Sequence, residues 1–213
     1  MVVRHHQIDS FSGALVFPGG KLEDADGNAK LRARCGGPAS LSDSELTFRI
    51  AGVREAFEEC GVLLARKRGH KALIGAADLK PIEDRWRAKL TRDDASILDL
   101  VEAEDLELAT ELMTPFAHWI TPTFVPKRFD TWFFLADAPE DQVALHDGSE
   151  STDSVWIGAQ EAIDEANGLF VVCDGTASRG GGRDAAEIAC NTVREILGQQ
   201  VAVLLLHHGR RRP

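Results

Sequence analysis

An α/β fold is predicted by three observations along the chain. Short apolar runs closed by turn residues, "GALVFPGG" first among them, read as strands. A capped amphipathic helix follows, with Ser42 and Glu45 forming a capping box and Gly61 in place to end it. Two further strands, "FAHWI" and "FDTWFFLA", are separated by the turn-rich "TPTFVPKR".

Taken in order, "MVVRHH" reads as the tail of a first strand whose beginning is missing. "GALVFPGG" runs as a strand into a loop, and residues 21–41, polar and broken by "CGGPAS", continue that loop. The helix is expected from about Asp43 to Cys60, with Leu46, Ile50, Val53 and Phe57 on one stripe. "GVLLA" then leaves as a strand, and residues 82–112 read as mainly helical. "SVWI" is a further strand and "AQEAIDEA" opens a helix. After Gly168 the texture changes to a strand, "LFVVCDG", a glycine-rich loop, a helix over 184–197 and the strand-sized run "VAVLLL".

Composition narrows the function. A net charge of -10 argues against nonspecific nucleic-acid binding, which relies on Lys and Arg. A polyphosphate would need a metal or a local basic patch to be held. The four cysteines form no C-x-x-C pair, no apolar run reaches membrane-span length and no secretory leader opens the chain. A reduced, cytoplasmic protein without a membrane partner is the expectation.

The stretch "REAFEECGV", residues 54–62, gathers Glu55, Glu58 and Glu59 at the carboxyl end of the predicted helix. The helix dipole is negative there, and like charges at i,i+3 and i,i+4 repel. The bland alternative is a solvated helix face, with the glutamates opposite the apolar stripe. A divalent cation would instead turn repulsion into coordination, because hard cations take carboxylate oxygens.

These residues resemble the Nudix hydrolase signature, G-x5-E-x7-R-E-U-x-E-E-x-G-U, where U is a bulky aliphatic residue. "REAFEECGV" matches its second half, with Ala56 standing for U. "FPGGKLEDAD" resembles its first half, with Gly20 leading and Asp26 where the pattern has Glu. Twenty-seven residues separate Asp26 from Arg54 where the pattern has seven, an insertion of 20. That insertion, together with "VREAFEECGVLLAR" and "HWITPTFVPKRFDTWFFLA", resembles the branch containing the peroxisomal coenzyme A diphosphatases. The resemblance covers about residues 2–167. It implies a Nudix domain over 1–167, inserted at about 27–46, followed by a segment of uncertain origin over 168–213.

The resemblance implies an α/β/α sandwich with a mixed sheet, carrying Mg²⁺ or Mn²⁺ on a loop-helix-loop. It implies hydrolysis of a diphosphate joining a nucleoside to another moiety, with coenzyme A or its esters as the substrate of the nearest branch. Glu58 and Glu59 match metal ligands, with the Gly20 carbonyl beside them. Glu55 matches the residue that completes the cluster or helps activate water, and Arg54 the arginine that orients a glutamate. Glu150 and Asp153 stand where such enzymes often add a carboxylate, with a solvated acidic turn as the alternative. Lys127 and Arg128 are candidates for the phosphates or an anionic tail, with an ordinary basic turn as the alternative. His118 is read as structural. The competing functional reading is a nucleotide-binding module that does not turn its ligand over.

The end of the chain resembles something else. "LFVVCDGTASRGGGRDAAEIACNTV" is similar to the opening of metal-dependent protein serine/threonine phosphatases, with Asp174-Gly175 at the metal-binding pair. Only 39 residues, 175–213, follow Asp174. That is too few for the fold, so chance similarity or a gene remnant is expected, packed on the domain without catalytic groups.

Overall fold

Helix α2, Asp43–Cys60, is the element around which the rest is arranged, and its bounds are those predicted. In this computed structural model residues 1–4, 15–38, 40–121, 129–146, 148, 151–155 and 201–209 are described, with the backbone alone for 2–4, 15, 151, 152 and 201–209. The helices expected at "AQEAIDEA" and over 184–197, and residues Lys127, Arg128, Glu150 and Asp174, lie outside the described residues.

The capping box forms as read. Glu45 donates its N–H to Ser42 Oγ (3.2 Å), and Ser42 donates its own to Glu45 Oε2 (3.0 Å). At the far end Gly61 takes φ 70°, a left-handed cap that a side chain would strain. The apolar stripe is buried, but so are Phe48, Ala51, Ala56 and Cys60, because α2 is covered on more than one side. Phe48 packs on Trp132 at 5.9 Å between ring centroids. Arg87, from α3 (Ala76–Thr91), donates Nε–H to the Glu58 carbonyl (2.9 Å).

The strands form three small sheets. The first has β1 (Val2–Arg4) between β2 (Leu15–Val16) and β7 (Ser151–Ser154). The second pairs β3 (Ala65–Lys67) with β4 (Leu106–Leu108). The third has β6 (Phe129–Asp137) between β5 (Thr114–Ile120) and β8 (Val201–Gly209). Among the described residues every ladder is antiparallel, and the parallel element is the isolated bridge Cys35↔Leu108. The final apolar run is therefore paired: β8 runs beside β6 from Val201↔Asp137 to Gly209↔Phe129, which covers that sheet edge.

Four local readings change. Residues 21–41 are not a plain loop. They hold a 3₁₀ turn at Asp24–Gly27 and helix α1 at Ala29–Arg32, and the segment is pinned to β4 by Gly36 N–H to Leu108 O (2.8 Å) and Leu108 N–H to Arg34 O (2.7 Å). "GVLLA" is not a strand until Ala65, because its backbone bonds a side chain: Gln142 accepts the Leu63 N–H (2.9 Å) and donates to Leu63 O and Ile74 O. Helix α3 starts before Pro81 rather than after it. Asp141 caps the Ala76 N–H (2.9 Å), and buried Leu79 and Ile82 hold the turn that the proline weakens. A second helix, α4 (Ile97–Ala103), follows its own Ser96–Asp99 capping box, and the chain then turns into β4 with Leu106 and Leu108 buried.

Candidate active site

The site lies where the loop after β2 meets the carboxyl-terminal half of α2. Phe17–Pro18–Gly19–Gly20 brings backbone against the helix. Gly19 donates its N–H to Glu59 Oε2 (3.0 Å). Gly20 comes so close to Glu55 that an added Cβ would collide with the Glu55 carboxylate. The two glycines thus let a main chain approach two carboxylates that are 8% and 6% exposed at Glu55 and Glu59.

Arg54 organises the acids. It is 1% exposed and uses all five of its N–H donors. Nε and Nη2 grip Asp26 in a fork, to Oδ1 (3.0 Å) and Oδ2 (3.1 Å). Nη2 also donates to the Lys21 carbonyl (2.7 Å). Nη1 donates to Glu55 Oε1 (3.1 Å) and Glu58 Oε1 (3.3 Å), and Glu23 Oε1 lies 3.2 Å from the same nitrogen. The 27 residues between Asp26 and Arg54 in sequence therefore do not separate them in space. The Asp26 carboxylate is fully buried and also accepts the Glu23 N–H (2.9 Å), which fixes the loop that carries Gly20.

The electrostatics follow from four carboxylates, Glu23, Asp26, Glu55 and Glu58, sharing one guanidinium. Burial disfavours the Arg54 charge, but the Asp26 hydrogen bonds and the Glu55 and Glu58 charges outweigh it and raise its pKa above the usual value. Burial pushes Glu55 up to about 8, opposed by Arg54 and reinforced by Glu59 and Glu58. Burial likewise pushes Glu58 up to about 7. Glu55 is 8% exposed, Glu59 6% and the Glu58 side chain 12%, and this burial excludes the solvated-face reading of α2.

The gathering of buried carboxylates and the all-oxygen donor set fit a hard divalent cation, as does the close approach of the Gly20 backbone to the Glu55 carboxylate. Among the described residues no three acidic, histidine or cysteine side chains are already gathered into a cage. Arg54 and the Gly19 N–H hold the relevant oxygens, so a cation would compete with the guanidinium for Glu55 and Glu58. Gly20→Ala should displace the Glu55 carboxylate while leaving the helix and its core intact. The expected outcome is a loss of divalent-ion affinity on the order of 10–100-fold, read by calorimetry, with an unchanged circular dichroism spectrum.

Of the other predicted residues, Asp153 and His118 are described, and neither is drawn into this cluster. Asp153 is exposed on β7, and its carboxylate accepts the Ser154 N–H (2.8 Å). His118 stacks on Trp132 at 4.1 Å and meets Asp130 Oδ1 at 2.5 Å, in keeping with a structural part. Sequence reasoning does not single out Glu23, although "GGKLEDAD" places it three residues before Asp26. Among the described residues no helix is long and apolar enough to cross a membrane.

Known proteins resemble this chain over much of its length. Residues 34–168 match the model of the NUDT19 Nudix domain. The loop of Gly20 and Asp26 lies ahead of the matched segment, and the Asp26–Arg54 fork joins the two. The chain is 30% identical over 152 residues to a putative nudix hydrolase 7 of Caenorhabditis elegans, covering 71% of this chain and 43% of that protein. It is 32% identical over 190 residues to the acyl-coenzyme A diphosphatase NUDT19 of Homo sapiens, covering 71% and 51%. The chain thus spans about half the length of these relatives. A crystal structure of a NUDIX hydrolase from Alicyclobacillus acidocaldarius shares the fold, with a TM-score of 0.62 at 22% identity over 76% of this chain and 72% of that one.

Proposed function

The chain belongs to the Nudix hydrolase family, and we propose from this that it hydrolyses, with a divalent cation, a diphosphate linking a nucleoside to another moiety. The observation that carries the reading is the convergence of Gly19 and Gly20 on Glu59 and Glu55, with Arg54 tying Glu55 and Glu58 to the same loop through Asp26.

Glu55, Glu58 and Glu59 would hold Mg²⁺ or Mn²⁺ beside the Gly20 backbone. The cation would supply charge neutralisation of the diphosphate and activation of water for attack at phosphorus. The remaining parts belong to the chain. Arg54, permanently protonated, keeps Glu55 and Glu58 oriented and holds the Gly20 loop through Asp26 and the Lys21 carbonyl. Glu59 fixes the same loop by accepting the Gly19 N–H. Glu55, set against the Gly20 backbone, would complete the set of carboxylates around the cation or help to activate the attacking water.

Coenzyme A or its acyl esters are the proposed substrate class, supported by the name of the human relative and by the insertion within the signature. Hydrolysis at the diphosphate would leave 4′-phosphopantetheine and 3′,5′-ADP. The test is a panel of coenzyme A, acyl-coenzyme A, NADH and a sugar nucleotide, with Mg²⁺ or Mn²⁺, analysed by chromatography. Coenzyme A derivatives are expected to be cut fastest. Faster cleavage of NADH or the sugar nucleotide overturns the substrate class, and tight binding without product points to a nucleotide-binding module instead.

A further inference from the structure

Resting on that reading of the site, we infer that Glu23 is a positioning residue that takes over Arg54 when Glu55 or Glu58 turns toward a bound cation. Arg54 has five N–H groups, and Asp26, the Lys21 carbonyl, Glu55 and Glu58 occupy them all. Glu23 Oε1 is 3.2 Å from Nη1, as near as the two glutamates that hydrogen-bond it, yet it has no N–H of that nitrogen to accept. It is a sixth acceptor waiting on a full donor.

A cation that draws a carboxylate oxygen of Glu55 or Glu58 frees an Nη1 N–H. The guanidinium is buried, so an unpaired N–H there is costly. Glu23 can fill the gap without a large movement, because its backbone is already fixed by its N–H bond to Asp26 Oδ2 (2.9 Å). Its side chain is 36% exposed, which leaves it room to turn. The exchange keeps Arg54 fully bonded and keeps a negative charge beside it. The cost of detaching Arg54 from a metal ligand is thereby removed from cation binding. Glu23 itself need not touch the cation.

The test is Mn²⁺ titration of the full chain, followed by electron paramagnetic resonance, on the parent, Glu23→Ala, Glu23→Gln and Asp24→Asn. Asp24 is the exposed neighbour and controls for loss of charge alone. Glu23→Ala is expected to weaken Mn²⁺ about tenfold, an unpaired buried N–H expressed as affinity. Glu23→Gln should recover part of that loss, since its amide oxygen can still accept, and Asp24→Asn should change affinity less than about twofold. Nitrogen-detected NMR of the Arg54 guanidinium, with Mg²⁺ added, should show Nη1 protons that exchange slowly in the parent and rapidly in Glu23→Ala. Parental affinity in Glu23→Ala, or a loss no larger than that of Asp24→Asn, overturns the inference. If the alanine variant does not fold, Glu23→Gln decides by the same comparison with Asp24→Asn. A parent that binds no Mn²⁺ overturns the inference together with the reading of the site on which it rests, whereas a binding parent with an unaffected Glu23→Ala overturns the inference alone.

Discussion

Glu59→Gln and Glu58→Gln should each lower turnover on the order of 10²–10³-fold with the fold retained. Glutamine keeps the volume of the side chain and removes the charge that a hard cation requires. The two variants should differ in their second effect. In Glu59→Gln the amide oxygen can still accept the Gly19 N–H at the position of Oε2, so the loop stays in place. Repulsion with Glu55, one turn earlier on the helix, is then relieved. Without divalent ions Glu59→Gln should therefore match or exceed the parent in stability by a few tenths of a kcal/mol, roughly the size of one like-charge pair. Glu58→Gln also loses a charge-assisted bond from Arg54 and should gain less. Turnover by initial rates and stability by urea midpoint check both. Parental rates in both variants would remove Glu58 and Glu59 from the metal site.

Arg54→Ala should be the most damaging single change to the fold. The side chain is 1% exposed and is the shared partner of Glu23, Asp26, Glu55 and Glu58. Its removal strands the fully buried Asp26 carboxylate. Breaking a buried pair from one side costs about 3–5 kcal/mol, a large part of the stability of an ordinary domain. Arg54→Lys should not rescue it, because an ammonium has three donors where the guanidinium uses five. Adding Asp26→Leu to the alanine variant should recover part of the loss by removing the stranded charge. The measurement is the denaturant midpoint of the three variants. A midpoint for Arg54→Ala within about 1 kcal/mol of the parent is incompatible with this network as the support of the site.

Helix α2 is legible to the residue because its signals are local. Ser42, Glu45 and Gly61 act on the backbone within one turn, whatever surrounds the helix. The glutamate cluster is legible for a different reason, its conflict with the helix dipole. The burial of those glutamates is not, since periodicity reports one apolar stripe and α2 is covered on other faces by partners distant in sequence. The same limit explains "GVLLA", whose backbone is satisfied by Gln142 from 79 positions away, and α3, where Pro81 suggests a boundary that Asp141 and core contacts override. The inserted segment looks like a loop because its anchor is a bridge to Leu108, invisible locally. Glu23 is hidden because nothing in "KLED" separates a carboxylate facing a buried arginine from one facing water.

If the acidic end of α2 and the Gly19–Gly20 loop form a cation-dependent hydrolytic site, water must supply the new phosphate oxygen. Mass spectrometry of the products formed from coenzyme A in ¹⁸O-labelled water reads this. The parent with Mg²⁺ should yield 4′-phosphopantetheine and 3′,5′-ADP, with one ¹⁸O atom in the newly formed phosphate group of one of them. The same incubation with a chelator, or with Glu59→Gln, should give little or none. Labelled products formed at the same rate in chelator and in Glu59→Gln, or products carrying no label, would rule out such a site.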